Sequence, residues 1–444
     1  MRLAFQANEN LSDQDSEVRA DKDRSTSLIR ESVFLTIIMG AANLANVIFQ
    51  ILMGRWLTAS DYGVLMAMIG ILYILNVPAD SFRTVMAYFA ARETTGNGRS
   101  CEVAIGLYRQ VMRRLLVVSG IILLVMTCSA PWLIGVFHLE GPGPLYAAML
   151  VCVSTLAMTT FQGVLQGTER FGWYGVSMNC WFWGRLLFAA LLVYAGFRAT
   201  GALAGMTLGA LAGVIIPRLL LHRELFAGRV ATPSSGTMRP LYRYIAKVTL
   251  AYALFMILAN MDVLAVKHWF PPEVAGEFSR GAMLAHLIWL MPFPVVMAMF
   301  PKLVAARNDQ VVRRRLLVKG IAVGAGTSLL LAAVLLVFSP YIFHILFGSS
   351  SNEMIGHMPV FLSAMLPVSF LFVLLNYELA LNKRAFLGPL MLGNLLLIGA
   401  LCVRHGSIEQ ILETLLIGCW LLFAAQMLFF LIRYRMGGKR NAAG

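Results

Sequence analysis

The sequence predicts an all-α integral membrane protein of about twelve transmembrane helices, arranged as two parallel six-helix halves. Three observations predict it. Hydrophobic residues make up 59% of the 444-residue chain and charged residues 13%, with a mean hydropathy of +0.74. A water-soluble protein of that composition would expose far more apolar surface than water tolerates. Twelve apolar stretches of membrane-spanning length follow one another, and the loops between them alternate between strongly basic and nearly neutral.

The spans are expected at residues 32–53, 62–91, 115–137, 145–167, 172–196, 202–222, 245–270, 275–301, 316–343, 358–379, 386–403 and 409–432. Most reach the ~20 residues that cross ~30 Å of hydrocarbon, and the longer ones must tilt or protrude. No water is available there to backbone N–H and C=O groups, so each apolar stretch satisfies them internally as a helix. Lys and Arg fix the orientation, because basic loops resist translocation. Twenty-eight of the 36 fall on one side. They lie in the N-terminal segment, the loops after the second, fourth, sixth, eighth and tenth spans, and the C-terminal tail. The opposite loops hold only Arg55, Arg198, Lys267, Arg280 and Arg404. Both termini are therefore expected in the cytoplasm, and a wrong span count would scramble the alternation. The net charge of +14 reads as a topology signal and as attraction of basic loops to anionic headgroups, with no call for nucleic acid.

Residues 1–27 are polar, carry six acids against four bases, and lack the apolar core of a signal peptide, which reads as a flexible cytoplasmic tail. Cysteines at 101, 128, 152, 180, 402 and 419 show no CxxC spacing, so neither a metal site nor a disulfide framework is expected. Sliding the chain by 213 residues places Arg55–Gly63 over His268–Gly276, with Trp56 on Trp269 and Gly63 on Gly276. In both copies a span ends at an interfacial Trp, turns, and re-enters through a Gly at the head of the next helix. Spans 1 and 7 run the same way, so the halves form a parallel repeat, an architecture common among transporters. The first half is expected at 28–222 and the second at 241–444, joined by a cytoplasmic linker at 223–240.

Three passages carry a family resemblance. Phe49-Gln50-Ile51-Leu52-Met53-Gly54-Arg55-Trp56-Leu57 followed by Asp61-Tyr62-Gly63 is one, and Gln162-Gly163-Val164-Leu165-Gln166-Gly167 with Arg170-Phe171 is another. The third is Asn260-Met261-Asp262-Val263-Leu264, then Gly276, then Phe300-Pro301-Lys302-Leu303. In this order they resemble the polysaccharide flippases of the multidrug/oligosaccharidyl-lipid/polysaccharide exporter superfamily. The resemblance implies two six-helix lobes around a central cavity that opens alternately to either side. It further implies an isoprenoid-diphosphate-linked oligosaccharide as cargo, moved to the outer face of the bacterial inner membrane for surface polysaccharide synthesis, with a polymerase or assembly proteins as neighbours. It implies neither a cofactor nor a catalytic residue.

Such a cargo needs a hydrated or cationic path for its head, and ionisable groups inside spans are the first candidates. Arg185, in the middle of span 5 with no acid close in sequence, is the leading candidate for the diphosphate, because guanidinium forms forked hydrogen bonds to phosphate oxygens. The alternative is a packed Arg paired with a carboxylate from another span. Asp80 and Arg83, three residues apart on span 2, either line the cavity or neutralise each other. Asp262 in span 7 serves proton or sodium coupling, bridges the lobes, or pairs with Lys267; Asp80 is the second ion-coupling or inter-lobe candidate. His286 is either proton-sensitive or a satisfied buried imidazole. Glu378, five residues before Lys383, is expected at the cytoplasmic interface, and Arg218 is expected to snorkel toward headgroups. The amides Asn43, Asn46, Gln50, Gln162, Gln166 and Asn260 give spans 1, 4 and 7 polar stripes suited to sugar hydroxyls or to interhelical hydrogen bonds. Pro78, Pro292, Pro294 and Pro367 interrupt spans 2, 8 and 10, as hinges or as tolerated kinks.

Two other classes fit less well. An ion-coupled multidrug or toxic-compound exporter of the same superfamily would have a more acidic cavity for cationic cargo, whereas three in-span arginines here face three in-span acids. A membrane glycosyltransferase or polysaccharide polymerase would need an acid/base constellation on a sizeable outward loop, and these loops are short. No phosphate-cradling nucleotide loop is present.

Overall fold

The computed structural model describes residues 38–79, 83, 117, 119–168, 170–220, 238–305, 309–348 and 352–441. The tail 1–27, Asp80, Cys101 and linker positions 223–237 lie outside the described residues. Every regular element among those described is helical. The first lobe holds α1 (38–56), α2 (Ala59–Leu75), α3 (Ser119–Cys128), α4 (Ala130–Val136), α5 (Gly143–Gly167), α6 (Phe171–Leu192) and α7 (Arg198–Leu220). The second holds α8 (Met238–Trp269), α9 (Pro272–Leu290), α10 (Phe293–Ala305), α11 (Gln310–Phe347), α12 (Asn352–Ala380), α13 (Leu387–Val403) and α14 (Ile408–Asn441).

These elements make twelve passes, in two six-span lobes. The third pass is α3 and α4 together, bent by 63°. The eighth is α9 and α10, separated at Met291-Pro292, where proline removes a backbone donor and breaks the helix. Pro340, Pro359 and Pro367, by contrast, sit inside continuous helices. Phe171–Leu220 is two passes: a turn at Val193–Phe197 breaks the helix and reverses the chain, with Gly196 at φ 91° and Arg198 at φ 50°. Across that hairpin Gly205 lies on Ala189 and Gly213 on Ser177, a pairing only antiparallel helices allow. The 17 residues of α13 rise only about 25 Å and make the shortest single-helix pass beside α2.

The two ends of the bundle are built differently. The end carrying the α1–α2 and α8–α9 turns holds the few basic loop residues, and there the lobes interlock. Thr58 caps α2 by accepting from Asp61 N at 3.2 Å, while its hydroxyl donates to Asp61 Oδ2 at 2.8 Å. This fixes the angle at which α2 leaves the turn and crosses α8 and α9 of the other lobe. The two glycines related by the 213-residue repeat meet at this crossing. A Cβ on Gly63 would lie 2.9 Å from Gly276 N, and one on Gly276 would lie 1.8 Å from Ala59 O, so only hydrogen fits at either position. Each lobe also sends an arginine to the other's backbone. Arg55 donates to Ile345 O through Nε at 3.0 Å and Nη2 at 2.5 Å, and Arg280 Nη2 lies 3.5 Å from Gly54 O. Tyr62, fully buried, reaches across to Met283 and to the ring of Phe347.

Candidate functional site

Arg185 in the first lobe and Asp262 in the second are both buried, and Asp262 does not have Lys267, the partner that sequence separation suggested, beside it. In the first lobe, α1 and α6 pack so that Asn46 and Phe49 on one helix face Phe182 and Arg185 on the other, each pair spaced i, i+3 and therefore on one helical face. Arg185 is only 6% exposed. Its Nη2 donates to Asn46 Oδ1, its guanidinium carbon lies 4.2 Å from the Phe49 ring centroid and 5.2 Å from that of Phe182, and its Nε has no hydrogen-bond partner. Stacking on two rings gives a desolvated guanidinium about 2 kcal/mol or more. Among the described residues no carboxylate lies within salt-bridge distance of it, so the lobe contains a buried positive charge held by an amide and two π faces. Tyr73 of α2, half exposed, is within electrostatic reach.

The other first-lobe candidates divide by exposure. Asn43 is exposed one turn from Asn46, and Gln50 is half-buried with its Oε1 unbonded. Gln166 is exposed near the end of α5. Gln162 is buried instead, donating to Ser177 Oγ at 3.3 Å, and Ser177 donates to Gly213 O at 2.6 Å. Its amide thus ties α5, α6 and α7 together. Arg83 is half-buried in helical backbone.

In the second lobe Asp262 of α8 is 1% exposed and accepts from His286 Nε2 of α9 at 2.8 Å. Its other oxygen is unbonded, and the His286 ring stands edge-on to Phe361 at 6.2 Å. The partner is His286 and not Lys267, whose buried ammonium has no hydrogen-bond partner and feels Glu273 in its own lobe and Asp61 and Glu140 across the lobe junction. Both members of the Asp262 pair belong to one lobe. Asn260 packs on Gly70 across the junction, with its amide donating to Met256 O in its own helix at 2.9 Å. Glu378 is 3% exposed, not surface-facing, with Lys383 Nζ at 3.5 Å and Arg433 Nη1 at 4.0 Å.

The turn end adds an ionic cluster that the sequence reading did not single out. Arg198 Nε meets Asp61 Oδ2 at 2.9 Å and its Nη1 meets Glu140 Oε2 at 2.6 Å. Those bonds hold its guanidinium above the ordinary arginine range, Glu140 contributing most and Asp61 next, so it remains charged at every working pH. The side chain is 51% exposed, which limits the worth of either pair to about 1 kcal/mol. His268 Nδ1 donates to Val136 O at 2.7 Å across the junction, and its ring stacks with His138 at 6.5 Å.

The family described as polysaccharide biosynthesis protein matches residues 28–307. Among solved structures, the chain is similar to an inward-facing multidrug resistance MATE family transporter of the MOP superfamily, with 14% identity over 91% of this chain and 96% of that one, at a TM-score of 0.73. An outward-facing MATE family transporter aligns at 14% identity over 93% and 96%, with a TM-score of 0.63. Lipid II flippase MurJ in an inward closed conformation aligns at 9% identity over 90% and 87%, with a TM-score of 0.61. No curated protein sequence matches the chain. At these identities the likenesses concern the fold, and the twelve passes in two lobes are that fold.

Proposed function

The chain belongs to the polysaccharide biosynthesis protein family, within the multidrug/oligosaccharidyl-lipid/polysaccharide exporter superfamily, and from that premise we propose that it flips an isoprenoid-diphosphate-linked oligosaccharide across the bacterial inner membrane. The observation that carries the cargo class is Arg185, a buried cation without a carboxylate counterpart among the described residues. A guanidinium without a carboxylate partner attracts a diphosphate and repels a cationic drug. Asn43, Asn46 and Gln50 on α1 provide amide groups for the saccharide beside it. When the diphosphate arrives, Arg185 turns its unbonded Nε, and the Nη2 now held by Asn46, toward the phosphate oxygens. Asp262 and His286 brace α8 against α9, the two helices that α2 crosses, and so shape the lobe junction without touching cargo.

The basic end faces the cytoplasm in this reading, with both termini, and the lobes are closed at the outer end. The junction at Gly63 and Gly276 supports this state, as does the higher TM-score against the inward-facing than against the outward-facing transporter. Moving a diphosphate outward against a cytoplasm-negative potential gains ~2.3 kcal/mol per charge per 100 mV. Two charges supply enough drive without a coupling ion. The test is the sidedness of lipid-linked saccharide in cells lacking the protein and any redundant flippase. A membrane-impermeant lectin is applied to spheroplasts and to inverted vesicles. Accumulation on the cytoplasmic face, relieved by the wild-type chain but not by Arg185→Ala, is the expected result. Unchanged sidedness would reject the reading.

A further inference from the structure

A pocket lies at the basic end of the second lobe, where α8, α12, α13 and α14 converge. Its walls are aromatic and aliphatic, Phe255, Phe386 and Leu371 among them, and three charged side chains line it: Glu378, Lys383 and Arg433. Glu378 sits at the base with its side chain 5% exposed, whereas the side chains of Lys383 and Arg433 are 35% and 38% exposed at the mouth. Rings hold both cations in place. Lys383 Nζ lies 6.0 Å from the Tyr377 centroid and 5.9 Å from that of Phe430, and Arg433 Cζ lies 5.7 Å from the Phe429 ring. Gln426 is occupied, donating to Phe386 O at 2.9 Å. Glu378 Oε2 is not: it lies 4.0 Å from Arg433 and makes no hydrogen bond although it is buried.

We propose that this pocket binds the headgroup of a bilayer phospholipid that carries a primary amine, with the phosphate between Lys383 and Arg433 and the ammonium on Glu378 Oε2. Two cations against one carboxylate leave one positive charge for a phosphate. An ionised carboxylate accepts hydrogen bonds only, so its open oxygen calls for a donor. Both cations stand at span ends, the depth at which phosphates of a leaflet lie and at which long basic side chains reach for them. The adjoining surface is also one that lipid covers: Leu392, Leu395 and Leu396 of α13 and Leu428, Leu431 and Ile432 of α14 are 46–65% exposed. A perimeter site with apolar walls meets acyl chains before it meets any cargo in the space between the lobes. The inference rests on membrane embedding and not on the identity of the cargo, so the two fail separately.

The test is native mass spectrometry of the full-length protein with equal amounts of phosphatidylethanolamine and phosphatidylglycerol of matched chains. Wild type should retain phosphatidylethanolamine about tenfold better, the worth of one charge-assisted hydrogen bond. Lys383→Gln with Arg433→Gln should abolish retention of both lipids, and Glu378→Gln should erase the preference alone. Because Glu378 is buried, Arg433→Gln by itself serves as the second variant, with a weakened retention expected. Arg314→Gln with Arg315→Gln, on an exposed stretch of α11, should change nothing. Equal retention of the two lipids by wild type, or undiminished retention in the double variant, would overturn the proposal. So would displacement of the bound phospholipid by one equivalent of isoprenoid diphosphate, which would make the pocket a cargo subsite.

Discussion

Both lobes bury charged side chains, and Arg185 in the first and Asp262 in the second are treated in opposite ways. Asp262 in the second lobe is answered by an imidazole N–H at 2.8 Å from the neighbouring helix. Arg185 in the first lobe is answered by an amide oxygen and two aromatic faces, with one N–H left over. Burying an ion without an opposite charge is costly, and a protein that needed only packing there would be at least as stable with an apolar residue. In the proposed reading Arg185 is kept for an anion that comes and goes and the Asp262–His286 pair is a fixed joint, whereas Lys267, also buried without a hydrogen-bond partner, sits within the field of Glu273, Asp61 and Glu140. In that reading the lobes repeat one another in topology and divide the work of binding and bracing.

The largest effect that separates them is on transport. Arg185→Ala should slow flipping of the lipid-linked saccharide by about 10–100-fold, the loss of one or two charge-assisted hydrogen bonds to phosphate. Arg185→Lys should recover only part, because an ammonium neither forks nor stacks as guanidinium does. Neither variant should lower the unfolding temperature as much as Asp262→Ala, which removes a buried hydrogen bond to a charged group and should cost about 2–3 kcal/mol of stability, read by thermal unfolding in detergent. A transport loss with intact stability in Asp262→Asn would move the second lobe's pair from bracing to ion coupling and break the comparison.

Smaller effects sharpen it at the junction. Gly276→Ala drives a methyl into Ala59 O, and overpacking of this kind should weaken the closed end by about 1–3 kcal/mol. The readout is a longer distance between spin labels at Glu140, on a first-lobe loop, and Glu409, in the first turn of α14 in the other lobe, both at that end. Arg198→Ala should change stability by under about 1 kcal/mol, since its bonds to Asp61 and Glu140 are open to water. The same double electron–electron resonance measurement should show no shift.

Hydropathy alone reveals the twelve passes, because in hydrocarbon an apolar stretch has no alternative to a helix. The 213-residue repeat identified the two glycines that meet at the junction, though not that they touch each other. Arg185 stood out as an in-span cation, and its spacing from Phe182, like that of Asn46 from Phe49, was a signal that the two pairs share faces. What the chain order hides is pairing across helices: Asn46 with Arg185 over 139 positions, Asp262 with His286 over 24, Arg433 with Glu378. Lys267 is near Asp262 in sequence, yet five residues along α8 turn it about 140° away, and His286 of α9 takes that place instead. The break between the spans at 172–196 and 202–222 is legible in hydropathy, whereas the tight turn that makes it, with Gly196 at φ 91° and Arg198 at φ 50°, is not.

The most direct measurement is the flipping rate of a purified isoprenoid-diphosphate saccharide in proteoliposomes, for wild type and for Arg185→Ala at matched unfolding temperature, at zero and at outside-positive potential. Faster flipping by wild type under the potential, with at least a tenfold loss in Arg185→Ala, is the predicted result. Equal rates for the two proteins, or a wild-type rate indifferent to the potential, would contradict the assignment of an anionic cargo to the first lobe's unanswered arginine.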